Sequence, residues 1–144
     1  RSTLFPYTTL FRSSCLNKHF HMDNKKEYNA FRVAAASTDG GYTVDTHFGR
    51  ASEFYIYQFF EGEWVYVEKR TVPPVCQNGS HSRESMEKTV ECFSDCQYVT
   101  ASRIGAGANA LLAEKGIVAM ALPGELLNAL DKIYKYNEIQ NLFK

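Results

Sequence analysis

The sequence predicts a three-layer α/β domain, a five-stranded mixed sheet with helices on both faces. Two observations carry that expectation. The first half of the chain holds three β-rich runs separated only by a loop and a short glycine turn. The second half alternates helical periodicity with short apolar runs of strand length. With 144 residues and 44% hydrophobic side chains, the chain suits one domain with a real core.

Residues 1–21 are set apart from this domain. Arg1 to Ser13 reads RSTLFPYTTLFRS, which has no periodicity that continues into the rest, and it resembles translated adapter sequence. The alternative is a genuine disordered tail. The same stretch lacks the continuous apolar run, about 7–15 residues, that a secretory signal needs. Met22 is a plausible start, so the expected division is a 1–21 tail and a 22–144 domain.

From there the elements follow in order. Phe31 to Ser37 (FRVAAAS) is a short apolar run ending at Thr-Asp-Gly-Gly, which reads as a buried strand followed by a turn. Gly41 to Arg50 reads as loop. Glu53 to Phe60 and Trp64 to Val72 flank Glu61-Gly62-Glu63 and form a predicted hairpin, with Trp64, Tyr66 and Glu68 alternating against Val65, Val67 and Lys69. Pro73-Pro74 ends the second strand, because proline cannot donate to a ladder. After the loop VCQNGSHS, Ser82 is placed to cap a helix from Arg83 to Phe93.

Gln97 to Ala101 is a fourth strand. Ala106 to Lys115 is a helix stopped by Gly116, and Ile117 to Leu122 is a fifth strand. Pro123-Gly124 opens a last helix, in which Leu126, Leu127, Leu130, Ile133 and Tyr134 recur at helical spacing. Three consecutive strands make an antiparallel meander, and right-handed crossovers bring the later strands in parallel to the first. The expected sheet order is 3-2-1-4-5, an RNase H-like arrangement. The reversal puts the ends of strands 1 and 4 side by side, the usual ligand crevice of open α/β sheets. Here it would be lined by the Thr38–Arg50 loop and the Ser102–Ala108 turn.

Charge and cysteine usage narrow the function classes. Lys+Arg and Asp+Glu balance at 16 each, and removing residues 1–21 leaves a mildly acidic domain. Such a chain offers no electrostatic reason to expect nucleic acid or an anionic membrane. No run of about 18 apolar residues is present to span a bilayer. The four cysteines are Cys15, Cys76, Cys92 and Cys96, with no CxxC pair and no zinc-type spacing. With Cys15 set aside the count is odd, so reduced thiols and a cytoplasmic location are expected.

Four segments bear chemistry. His47, in THFGR, is a loop imidazole near Arg50 at the expected crevice and suits iron or another transition metal. Its alternative role is a local hydrogen bond. Cys76 and His81 form a soft ligand pair across a flexible Asn-Gly, and the alternative is a loop without ligands. Cys92 and Cys96 are expected to be buried and to serve packing. IGAGANA, with Gly105 and Gly107, has the outline of a dinucleotide fingerprint, with Glu125 about 20 residues on. It follows the fourth strand, however, and no second nucleotide-binding half fits in the remaining chain. Small residues at a helix N-terminus also favour an anion, with Arg50 and Arg103 adding charge-assisted hydrogen bonds. They equally permit close helix–sheet packing.

RVAAASTDGG, DTHFGRASEFYIY, CQNGSH and DCQYVTASRIGAGANALLAEKGI together resemble the dinitrogenase iron–molybdenum cofactor biosynthesis family, which includes NifX-like carriers and the C-terminal domain of NifB. The resemblance spans Phe31 to Leu130. It implies an RNase H-like fold and binding of an iron–sulfur or iron–molybdenum cofactor or its precursor. Carried over, the HFGR histidine is His47 and the following loop's ligands are Cys76 and His81. With no CxxxCxxC radical-SAM motif, the expectation is a free-standing, non-enzymatic carrier whose partners are the metallocluster and cofactor-synthesis or acceptor proteins. The rivals are a metal-free interaction module and, less favoured, a nucleotide-binding enzyme using IGAGANA. Nuclease chemistry needs clustered carboxylates for two metal ions, and only Asp39 and Asp45 lie near the end of the first strand.

Overall fold

A computed structural model describes residues 30–73 and 83–143. Met22, Cys76, His81 and the expected cap Ser82 therefore lie outside the described residues. The element order is β1 (Phe31–Ala36), β2 (Thr43–Val44), a 3-10 turn (Phe48–Arg50), β3 (Glu53–Phe60), β4 (Glu63–Thr71), α1 (Arg83–Glu91), β5 (Tyr98–Ala101), α2 (Ala106–Glu114), β6 (Val118–Ala121), β7 (Gly124–Glu125) and α3 (Leu126–Leu142).

Five strands form one mixed sheet in the order β4-β3-β1-β5-β6. β1–β3 and β3–β4 are antiparallel, while β1–β5 and β5–β6 are parallel. β1 is central and covered on both faces, which is why its sequence is a continuous apolar run and not an alternation. Ala34 and Ala36 join the core beneath α1 and α2, with Phe54, Ile56, Val90, Phe93, Leu111 and Leu112. Val33 and Ala35 face the other way, against Leu126, Ala129, Leu130 and Ile133 of α3.

The β3–β4 hairpin turns on Glu61 and Gly62, with φ of 53° and 81°. Two positive φ values in a two-residue loop match the twist of the strands they join. The alternation expected for β4 does not hold along its whole length. Ile56 faces Glu68 but Tyr57 faces Tyr66, so Val67 is the extra residue of a β-bulge. The bulge moves Glu68 and Arg70 to the α1 side, where both are buried. Burial is tolerated because the charges are paired. Arg70 bonds Glu68 through Nε and Asp95 through Nη1 and Nη2, each at 2.8 Å, and donates to the Cys92 carbonyl. Arg32 adds a 2.7 Å bond to Asp95 and a 2.9 Å bond to Gln58. Burial pushes the Asp95 carboxyl up, and the two arginines outweigh it and hold it below its usual range.

The start of the last helix also differs from expectation. Gly124 and Glu125 are extended and pair with Val44 and Thr43, and α3 begins at Leu126. Among the described residues no helix is long and apolar enough to cross a membrane.

Candidate functional site

The loop after β1 is held from within by its own carboxylates. Asp39 accepts from Ser37 Oγ at 2.8 Å, from the Tyr42 and Thr43 backbone N–H groups at 3.1 and 3.0 Å, and from Thr43 Oγ1 at 2.7 Å. These bonds, those from Thr43 foremost, hold its pKa down to about 2. Asp45 accepts from the Thr38 backbone N–H at 2.9 Å, from Thr38 Oγ1 at 2.8 Å and from Thr46 Oγ1 at 2.7 Å. Burial raises the Asp45 carboxyl, but the Thr46 and Thr38 bonds leave it lowered overall. Gly41 permits the turn. Its φ is +93°, and a Cβ there would come within 3.3 Å of the Tyr55 ring.

The same loop is tied to its neighbours. Its β2 segment pairs with β7, and Leu126 N–H donates to the Tyr42 carbonyl at 2.9 Å. Farther on, Ser102 N–H donates to the Thr46 carbonyl at 3.0 Å, and Phe48 N–H donates to the Arg103 carbonyl at 2.9 Å. His47 and Arg103 are thereby bridged in parallel. Phe48 is buried, and the 3-10 turn it begins ends at the exposed Arg50. Connections after β1, β5 and β6 thus meet at one end of the sheet.

His47 is half-buried there. Its Nδ1 is buried and has no hydrogen-bond partner among the described residues. Burial, then the positive charges of Arg50 and Arg103, push its pKa below the ordinary histidine value. The shift favours the neutral imidazole, the form that ligates metals. Both guanidinium-bearing residues are exposed.

Beyond Arg103 the chain enters α2. Gly105 is its N-cap, with no side-chain cap, and Gly107 lies in its first turn. A Cβ built at either glycine would meet nothing within 4 Å. Neither has a positive φ. Packing against the sheet and backbone geometry thus explain neither glycine, and the N-cap Gly105 supplies no side-chain cap to the first turn of α2, which follows Arg103. The structure therefore brings His47, Arg50, Arg103, Gly105 and Gly107 to one end of the sheet.

The other expected ligands, Cys76 and His81, lie outside the described residues. Cys96 is free and buried, and its thiol is raised, by burial first and then by Asp95. Cys92 is buried too, but it is disulfide-bonded, which corrects the expectation of a reduced thiol there. No group of three or more His, Cys, Asp or Glu side chains fit to hold a metal occurs among the described residues. Asp39 and Asp45 are occupied with holding the loop. That role is signalled in the sequence only by the serine and threonines around them.

Comparison with known proteins follows the same lines. A family model described as dinitrogenase iron-molybdenum cofactor matches residues 29–136. The chain is 36% identical over 103 residues to the FeMo cofactor biosynthesis protein NifB of Frankia alni, covering 69% of this chain and 19% of that protein. It is 33% identical over 99 residues to Protein NifY of Klebsiella pneumoniae, covering 67% of this chain and 41% of that protein. The chain thus spans about a fifth of that NifB and less than half of NifY. The crystal structure of PH0822 shares the fold, with a TM-score of 0.55 and 22% identity over 71% of this chain and 88% of that one.

Proposed function

The chain belongs to the dinitrogenase iron–molybdenum cofactor family, and from that membership we propose that it binds and carries an iron–sulfur or iron–molybdenum cofactor, or a precursor of one, without itself catalysing a reaction. We read its sheet as the RNase H-like arrangement, with the cargo held at the end where the loops after β1 and β5 meet. The observation that carries this reading is His47: an imidazole with an unsatisfied buried nitrogen, whose neutral form is favoured by burial and by the charges of Arg50 and Arg103. No internal hydrogen bond has to be broken at Nδ1 for the ring to turn toward a ligand. Clusters with thiolate or organic-acid ligands are commonly anionic, so Arg50, Arg103 and the first turn of α2 suit the same cargo.

The further ligands proposed are Cys76 and His81. β4 runs parallel to β1, because both pair antiparallel with β3, so it ends at the same edge of the sheet. Phe54 faces both Ala36 and Arg70, which puts the end of β4 level with the end of β1, two strand spacings or about 10 Å away. Cys76 is three residues on from Pro73, and an extended chain covers about 10 Å in three steps. A ligand set of few side chains suits a carrier, which must hold its cargo and also release it to cofactor-synthesis or acceptor proteins.

Anaerobic reconstitution with iron, sulfide and excess reductant, with and without molybdate, tests the proposal. Metal analysis and absorption spectra should show a bound cluster. The reductant keeps thiols available as thiolates. A chain that stays metal-free under all conditions would favour the rival reading of an interaction module. Micromolar binding of NAD, NADP, FAD or ATP would favour the nucleotide reading of IGAGANA, which the missing second nucleotide-binding half disfavours.

A further inference from the structure

A histidine that binds metal is ordinarily turned by a hydrogen bond from its other ring nitrogen to a carboxylate or carbonyl. His47 has no such support, because its buried Nδ1 lacks a hydrogen-bond partner among the described residues. What holds the residue is the backbone on either side of it. Thr46 accepts from Ser102 N–H at 3.0 Å, and Phe48 N–H donates to the Arg103 carbonyl at 2.9 Å. Those bonds reach only the exit of β5. The tie to the exit of β1 runs through Asp45. Its Oδ1 accepts from Thr38 N–H at 2.9 Å and from Thr46 Oγ1 at 2.7 Å, and its Oδ2 accepts from Thr38 Oγ1 at 2.8 Å.

We propose that Asp45 is the positioning residue of His47. It fixes Thr46 between the ends of the two strands that flank the crevice, and so fixes the direction in which the imidazole leaves the backbone. The proposal rests on the reading of His47 as a ligand of the cargo. Asp45 is exposed and lies two residues from His47, yet no ion pair among the described residues joins it to Arg50 or Arg103. Both of its oxygens are taken by the donors of Thr38 and Thr46. The carboxylate is thus held by the loop and leaves the two arginines to an anionic cargo. This role has a sign that charge alone would not give. By electrostatics alone, removing a negative charge beside the site would tighten an anionic cargo. Removing a positioning residue must loosen it, and loss of outer support for a ligand costs about tenfold to a hundredfold in metal affinity.

The test loads the full chain anaerobically with iron and sulfide under reductant. It reads cluster retention against an iron chelator and the imidazole-nitrogen coupling in pulsed EPR. Both are taken on folded protein well below its melting temperature, so that a loss of stability alone moves neither. Asp45→Ala should lower retention by about tenfold and alter the coupling in the cluster that remains. Asp45→Asn should keep most of the binding, because its amide oxygen still accepts from Thr38 and Thr46 and its NH2 group can donate to a rotated Thr38 hydroxyl. Thr46→Val should act like Asp45→Ala, whereas Thr46→Ser keeps the hydroxyl and should not. Asp45→Ala combined with Thr46→Val should lose no more than the stronger single change, since both break one path. Circular dichroism checks that each variant is folded; should Asp45→Ala unfold, the Thr46 pair decides alone. Retention held or increased in Asp45→Ala and Thr46→Val, or an unaltered nitrogen coupling in both, would overturn the inference while His47→Ala still loses its cluster. Full retention in His47→Ala would overturn the reading of His47 beneath it as well.

Discussion

Arg70 grips Asp95 with two parallel hydrogen bonds of 2.8 Å, one to each carboxylate oxygen, in a place where both side chains are almost fully withdrawn from water. Arg32 bonds the same carboxylate from the central strand. One aspartate thus ties β4, β1 and the α1–β5 connection together. Asp95→Ala should leave two arginines without their counter-charge and cost about 3–5 kcal/mol, read as a drop in urea midpoint. Asp95→Asn should lose somewhat less, since the amide keeps one acceptor.

Cys96 sits beside that network, with Sγ 3.7 Å from Asp95. Burial and the neighbouring carboxylate push its thiol above the ordinary range, so it is a poor nucleophile. It should resist a thiol reagent such as DTNB in the native state and react on unfolding. Cys96→Ser should destabilise the fold by roughly 1–3 kcal/mol and leave cluster occupancy of the folded fraction unchanged. Fast native labelling would contradict this placement.

Much of this fold is legible in the sequence because its signals are local. FRVAAA reads as a buried strand because both of its faces are covered, and Glu61-Gly62 reads as a turn because few residues take positive φ. The bulge at Val67 is not legible. Alternation along β4 looks regular until the partner strand sets the register, and only then do Glu68 and Arg70 turn inward. The Arg70–Asp95 pair, 25 residues apart, is equally hidden. The β2–β7 pairing is two residues long and leaves no periodic trace. The approach of His47 to Arg103 follows from strand order, which is readable, whereas the loop bonds of Asp39 and Asp45 that hold it are not.

Those loop bonds carry a pH dependence. The folded-state pKa of Asp39 is depressed from 3.8 to about 2. A depressed carboxyl contributes stability that is present above its unfolded pKa and lost as pH falls through its folded one. The loop should therefore loosen between about pH 4 and pH 2. Acid titration of Asp39→Ala should show a shallower loss of stability across that window than the unsubstituted chain. Equal slopes would mean that the Thr43 and Ser37 bonds do not hold the loop.

Gly107 separates fold from function. It is exposed in the first turn of α2, and a Cβ there meets nothing. Gly107→Ala should raise stability by up to about 1 kcal/mol through helix propensity. On the proposed reading it should also weaken cargo binding, because a methyl group then stands in the open approach to the N–H groups of that turn. A variant that is more stable and binds equally well would remove the α2 N-terminus from the site.

The most direct test of the account compares His47→Ala with the unsubstituted chain in anaerobic reconstitution with iron and sulfide under reductant, reading bound metal per chain beside the melting temperature. Cys76→Ser and Cys96→Ser serve as the paired controls. The account predicts that His47→Ala and Cys76→Ser lose most of their cluster occupancy with little change in melting temperature, while Cys96→Ser lowers the melting temperature and keeps its cluster. Full occupancy in His47→Ala, or loss of the cluster only in Cys96→Ser, would contradict it.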